Sequence, residues 1–169
     1  IDTQFNWGLG LDAIGMSPSA GVLEFNVTAS YLHIYKVAGL LGSPTFNYAG
    51  SADFGGVGGG TSHPRWKINT RVTYSNVGFA LSLLWRHISP MVHSDRLANA
   101  ASTTPGVPAY NYIDLNADFD IDKKFSLGFG VSNLTDKVPP FISASPLTTD
   151  AATYDVIGRS FYASIKAKF

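Results

Sequence analysis

The sequence predicts an all-β fold, a transmembrane antiparallel β-barrel to which residues 1–169 supply seven strands. Three observations lead there. First, the final residues alternate strictly: Phe161, Ala163, Ile165, Ala167 and Phe169 fall on one face, Tyr162, Ser164, Lys166 and Lys168 on the other. Successive side chains of a strand point to opposite faces, so this strand has one apolar and one polar side. Second, six earlier segments alternate in the same way. Third, the connections run short, long, short, long, short, long, the asymmetry of a barrel with short periplasmic turns and long extracellular loops. A soluble sandwich shares the alternation but has no reason to sort its loops by length.

The first segment, residues 2–13, sets Phe5, Trp7 and Leu9 against Gln4, Asn6 and Gly8. A turn rich in Gly, Ser and Pro leads to the second, 22–37, where Leu23, Phe25, Val27, Ala29 and Tyr31 oppose Glu24, Asn26, Thr28 and Ser30. A long Gly-rich connection, 39–63, follows. The third, 65–75, sets Trp66, Ile68, Thr70, Val72 and Tyr74 against Lys67, Asn69, Arg71 and Thr73. The tight Asn76-Val77-Gly78 turn opens the fourth, with Phe79, Leu81, Leu83 and Trp85 on one side. After a second long connection, 89–111, the fifth alternates Ile113, Leu115, Ala117, Phe119 and Ile121 with Asp114, Asn116, Asp118 and Asp120. Asp122-Lys123-Lys124 turns the chain into the sixth, Phe125, Leu127, Phe129 and Val131 against Ser126, Gly128, Gly130 and Ser132. A third long connection, 136–157, reaches the terminal strand. Segments of ~10 residues suit tilted spanning strands.

Aromatic residues bound the apolar band at both ends. Tyr74, Phe79, Phe119, Phe125 and Phe169 fall near the short turns; Tyr31, Tyr35, Trp66, Trp85, Tyr112 and Phe161 fall near the long loops. Two such girdles match the interfacial preference of amphipathic rings.

Composition excludes several classes. Twelve basic against 12 acidic residues give no electrostatic case for a nucleic-acid partner. The absence of cysteine removes disulfides and thiolate metal sites. No apolar run approaches the ~20 residues of a spanning helix. The sequence begins Ile1-Asp2 rather than at an initiator Met, so a mature or truncated product is expected. Bacterial single-chain barrels have even strand numbers, and an open sheet in lipid leaves unpaired edges that cost several kcal/mol per group. The seven strands are therefore expected to be the C-terminal portion of a larger barrel, or to close against other polypeptide.

The segment Gly130-Val131-Ser132-Asn133-Leu134-Thr135-Asp136-Lys137, then Pro139-Pro140, then Tyr154-Asp155-Val156-Ile157-Gly158-Arg159-Ser160-Phe161-Tyr162, ending at Phe169, resembles the C-terminus of TonB-dependent outer-membrane receptors. Pro64-Arg65-Trp66-Lys67, Trp85-Arg86 and Tyr112-Ile113-Asp114-Leu115 also resemble the proteobacterial branch of that family. The resemblance implies a barrel of about 22 strands with a plugged lumen in the outer membrane of a Gram-negative bacterium. It implies active import of a scarce ligand, such as siderophore-iron, haem, cobalamin or an oligosaccharide, energised through TonB. An N-terminal plug domain carries the TonB-contacting segment in that family; neither is present in this sequence. The partners implied are outer-membrane lipid, the rest of the barrel and the plug, the TonB complex through that plug, and the barrel-assembly machinery. A passive channel or structural barrel component without a plug is the alternative. An outer-membrane enzyme would need a triad, and no Ser-His-Asp arrangement is legible; the chain is read as a non-enzyme with no cofactor.

Individual sites carry weaker signals. In the family the terminal strand resembles an assembly signal, matched here by Gly158, Phe161, Ile165 and Phe169; an extended strand can add to an exposed sheet edge, and the plain alternative is that these residues face lipid. His33, His63, His87 and His93 all map near the long loops. Adjacent strand ends could bring His33, His63 and His87 together as metal ligands, but rim residues at the water interface are the stronger reading. The run Gly55-Gly56-Val57-Gly58-Gly59-Gly60 lacks the Lys and the helix of a phosphate loop and reads as an extracellular loop. Asp114, Asn116, Asp118 and Asp120 form an acidic ladder on the inner face, with Lys67 and Arg71 elsewhere on it, expected as a solvated or plug-facing wall.

Overall fold

The structure, a computed structural model, describes residues 1–37, 42, 44–52, 62–144 and 147–168, excepting the side chains of 143, 144, 147 and 148. Seven long strands carry the fold: β1 (Asp2–Gly10), β2 (Val22–Tyr31), β3 (Trp66–Asn76), β4 (Phe79–Ile88), β5 (Tyr110–Asp120), β6 (Phe125–Ser132) and β7 (Ser160–Ala167). They form one sheet in sequence order, every neighbouring pair antiparallel. The sheet is open: within it β1 and β7 each have one strand neighbour.

The register aligns the alternation across all seven strands. Trp7, Phe25, Val72, Leu83, Leu115, Val131 and Phe161 are successive cross-strand partners in one row. Two residues along, Leu9, Leu23, Tyr74, Leu81, Ala117, Phe129 and Ala163 make a second apolar row. Between them lies Gly8, Glu24, Thr73, Ser82, Asn116, Gly130 and Tyr162, which faces the other side. A slip of one residue in any strand would bring polar groups onto the apolar face, so the pattern itself specifies the register. Phe161 and Ile165 remain 73% and 74% exposed. A contiguous apolar face of this extent is a liability in water and a match for hydrocarbon.

The short turns are closed by local hydrogen bonds. The Asp122 carboxylate accepts the Lys124 and Phe125 backbone N–H groups at 2.7 and 2.8 Å, which reverses the chain between β5 and β6. Phe79 and Phe119 pack at 5.0 Å between ring centroids near the turn end of the sheet, as the lower girdle requires. On the inner face Tyr162 lies across Gly130, where an added Cβ would come 2.1 Å from the Tyr162 ring, and its hydroxyl donates to Asn116 Oδ1. The aromatic ring covers backbone that a glycine leaves bare. Gly130→Val is expected to swing the ring away and to cost about 1 kcal/mol through the lost hydrogen bond, read as a lower unfolding temperature on heat-modifiability gels of the full-length protein.

The long connections hold more structure than the sequence announces. Ser51–Ala52 pairs antiparallel with Ser62–His63 and parallel with Val92–His93, so the first two long loops share a small sheet. A buried cluster of Ala52, Ile88, Met91, Val107, Tyr110, Tyr112, Ile142 and Tyr154 draws on all three long connections and on the adjoining ends of β4 and β5. These loops therefore pack into a cap with its own core. It sits on the inner face, because Tyr112 shares a row with Arg86, Asn69, Thr28 and Gln4. Tyr112 consequently does not belong to the outer aromatic girdle. It precedes Ile113 and so has the opposite phase, and its position along the strand had obscured its face. Tyr35 likewise packs on the His63 ring at 4.2 Å, within the loop structure.

Candidate functional site

The inner wall beneath the cap is built on Asp114. Strand β5 turns this residue inward, between the outward Ile113 and Leu115; register sets Leu84 of β4 opposite it and Arg86 opposite Tyr112, the diagonal neighbour on the same face. Arg86 grips the carboxylate with two hydrogen bonds, Nε to Oδ2 at 2.7 Å and Nη2 to Oδ1 at 2.9 Å. The backbone N–H of Asn133 adds a third at 2.8 Å. Asp114 is 8% exposed, so it is a paired structural anion rather than a rung of the solvated acidic wall expected from the sequence. Arg86 also reaches the Asp155 carboxylate at 3.7 Å and stacks over the Tyr112 ring at 4.9 Å. The Tyr112 hydroxyl accepts the Asp155 backbone N–H at 3.3 Å.

These contacts explain the corner after β6. Asn133 is fully buried at φ 51, a left-handed conformation that asparagine tolerates better than most residues. Its side chain clasps Lys137 in both directions: Nδ2 donates to the Lys137 carbonyl at 3.0 Å, and Oδ1 accepts the Lys137 N–H at 2.8 Å. Asp136, at φ 52, then accepts the Arg159 N–H at 2.9 Å. Gly158 has φ 78, and a Cβ there would stand 3.1 Å from the Asp136 carboxylate. Both ends of the third long loop are thus pinned to the wall: the first through Asn133, the second through Asp155 and Arg159.

Deeper in the loops, Asp150 Oδ2 accepts the Ser62 N–H at 2.8 Å and Oδ1 the Ala152 N–H at 3.0 Å. Burial alone would raise its pKa, but the hydrogen bonds from Ser62, Thr153 and Ala152 outweigh it and hold the carboxyl below its ordinary value. A depressed folded pKa stabilises the fold above the unfolded value and is lost as pH falls through the folded one. Protection of the Ser62 amide against hydrogen exchange should therefore persist above the ordinary aspartate range and be lost only as pH falls through the lower, folded value. Tyr154, beside Tyr110 at 5.1 Å, is buried, which pushes its phenol well above the ordinary range, so it stays neutral.

A family model described as TonB dependent receptor-like, beta-barrel, matches residues 2–134. The chain belongs to the TonB-dependent receptor β-barrel family. Members of this family are transporters of the Gram-negative outer membrane, not enzymes. Among solved structures, a point mutant of the ferric enterobactin receptor (PfeA) from Pseudomonas aeruginosa is similar at TM-score 0.56 and 20% identity, covering 98% of this chain and 22% of that one. Another mutant of the same receptor, in complex with enterobactin, is similar at TM-score 0.55 and 18% identity, again over 98% and 22%. At such identity the likeness is one of fold, and the chain spans about a fifth of the length of those receptors, 22%. No curated protein sequence matches the chain.

Within this receptor barrel the histidines are dispersed. His33 packs near Tyr31, with ring centroids 6.0 Å apart, and His87 lies beside Trp85 at 5.5 Å and shares a 2.9 Å hydrogen bond with Asn111. His63 and His93 flank opposite sides of Ser51–Ala52 in the small sheet. No group of three or more His, Cys, Asp or Glu side chains gathers at metal-binding distance among the described residues. Phe161 and Ile165 lie on the outward face of β7, Gly158 lies in the preceding turn, and Phe169 falls outside the described residues, as does the run 55–60. Sequence reasoning named Arg86 and Tyr154 only within motifs that carry the resemblance, placed Tyr112 in the outer girdle, and did not single out Asp150. The available signal was Tyr110 and Tyr112, two aromatics in the inward phase of a strand whose other inward residues are polar.

Proposed function

We propose that this chain forms the last seven strands of a larger plugged barrel that imports a scarce ligand across the outer membrane, energised through TonB. Family membership over residues 2–134 is the observation that carries the reading. The two-faced sheet supports it: one apolar side suits lipid, and a polar side of Glu24, Asn26, Arg71, Thr73, Ser82 and Asn116 suits a lumen filled by a plug. The capped end supports an extracellular orientation, since long loops belong outside and short turns in the periplasm. The free edges of β1 and β7 would pair with further strands, because unpaired backbone groups in lipid cost several kcal/mol each.

The ligand class is taken from the similar Pseudomonas aeruginosa protein, a ferric enterobactin receptor; a ferric siderophore is the first cargo to test. Cells carrying the full-length protein should accumulate radiolabelled ferric enterobactin in saturable fashion, and deletion of TonB should abolish it. Uptake that is linear in concentration and unaffected by TonB would establish a passive channel instead. TonB-dependent uptake of a different cargo, with none of ferric enterobactin, would keep the importer and discard the siderophore.

A further inference from the structure

Inside the cap, the hydroxyl oxygens of Ser62, Thr149 and Tyr154 are buried and have no hydrogen-bond partner among the described residues. Ser62 is 7% exposed and Tyr154 3%. A buried hydroxyl without a partner forfeits its hydrogen bonds to water, so folded proteins seldom leave one. These residues gather around Asp150. Ser62 gives its backbone N–H to Asp150 Oδ2 at 2.8 Å, Thr149 precedes Asp150 in the chain, and Tyr154 gives its N–H to the Asp150 carbonyl at 2.9 Å. The Asp150 charge is felt at the Tyr154 phenol, where it adds to burial and to the Tyr112 and Tyr110 phenols in raising the pKa. The Ser62 hydroxyl stands near the same carboxylate, without hydrogen-bond geometry to it.

The chemistry of the group that would satisfy them follows from Asp150. Its carboxylate is 6% exposed and already takes the N–H groups of Ser62 and Ala152, one on each oxygen. Donor dipoles turned on those oxygens oppose a metal cation at the same place, but each oxygen keeps a lone pair for a further donor. The two hydroxyls, in turn, need an acceptor. A water molecule meets both needs, because it donates and accepts at once. Internal waters make about three hydrogen bonds, to buried polar groups that are otherwise unsatisfied.

We propose that Asp150, Ser62 and Tyr154 hold an internal water molecule that joins the first long loop to the third. It donates to the Asp150 carboxylate and accepts from the Ser62 and Tyr154 hydroxyls, so one molecule ties together parts of the cap that are distant in sequence. The inference goes beyond import and does not depend on the cargo. Hydrogen exchange at the Ser62 amide of the full-length protein, read by mass spectrometry on short peptides, gives the test. Tyr154→Phe removes one oxygen and keeps the ring against Tyr110. With a water at the site, it should speed exchange about fivefold, the equivalent of one net hydrogen bond. Ser62→Ala should do the same. The two together should do little more than either, because each already loosens the shared water. A phenol that has no partner gives the opposite sign, since Phe then leaves exchange unchanged or slower. That result, or additive effects of the two substitutions, would overturn the proposal. A crystal structure of the wild type tests it without any substitution. Density for one water within hydrogen-bond distance of the Tyr154 phenol and the Asp150 carboxylate would support it; no density there, or an anomalous peak after a rubidium soak, would overturn it.

Discussion

Ala117→Arg should cut the yield of folded, outer-membrane-inserted full-length protein severely, while Thr28→Arg leaves it near wild type. Ala117 sits in the centre of an outward apolar row, between Leu81 and Phe129. A midplane Arg facing lipid costs ~2–4 kcal/mol, enough to shift assembly by orders of magnitude. Thr28 lies inward between Gln4 and Asn69, where a guanidinium meets polar neighbours. Leu127→Arg should behave as Ala117→Arg does, since Leu127 pairs with the outward Phe119 and Ile165. The geometry also selects the control. Asn116 receives the Tyr162 hydroxyl, and a Cβ at Gly128 would approach Ser164 Oγ to 2.7 Å, so substitutions at either carry a packing cost unrelated to lipid. Heat-modifiability and protease resistance of outer-membrane fractions give the readout. Equal assembly of Ala117→Arg and Thr28→Arg would refute the assigned faces.

Asp114→Ala should release the third long loop and destabilise the cap by ~3 kcal/mol. The substitution strips Arg86 of its bidentate partner and the Asn133 N–H of its acceptor at once. Removing one member of a buried pair costs ~3–5 kcal/mol. The lower end applies because the Arg86 side chain is 32% exposed and water takes up part of the loss. Asp114→Asn, which keeps an acceptor, should cost about half as much. The signature is local: amide exchange and protease cleavage should rise across 133–159 while the β2–β3 pair stays protected. A uniform loss of protection over the whole sheet would mean that Asp114 supports the barrel wall rather than the loop.

The strands were legible because their signal is the simplest a chain can carry. Period-two alternation is a local property, and each apolar residue names its face without knowledge of its partner. Observed ends differ from the sequence reading by a few residues, chiefly where β1 stops at Gly10 and the chain enters a 3-10 turn over Leu11–Ile14, and where β2 stops at Tyr31. The cap was not legible. Its contacts join residues far apart in sequence, as Ser62 with Asp150 or Arg86 with Asp155, and no period encodes them. Asp114 illustrates the limit. Its inward phase could be read from Ile113 and Leu115, but its burial depends on Arg86, which the register places diagonally, and on the Asn133 N–H from the corner after β6. The family motif around Asn133 was visible as a resemblance, and its physical content, a left-handed corner clasping Lys137, emerges only with coordinates.

The two-faced sheet is the central claim, and site-directed spin labelling tests it most directly. The chain contains no cysteine, so single Cys substitutions at positions 114–119 of β5 introduce one label each within it. In the full-length protein reconstituted in bilayers, labels at Leu115, Ala117 and Phe119 should be accessible to oxygen. Labels at Asp114, Asn116 and Asp118 should be shielded from it, giving a period of two residues. A flat profile, or outward labels accessible chiefly to a water-soluble nickel complex, would contradict the account.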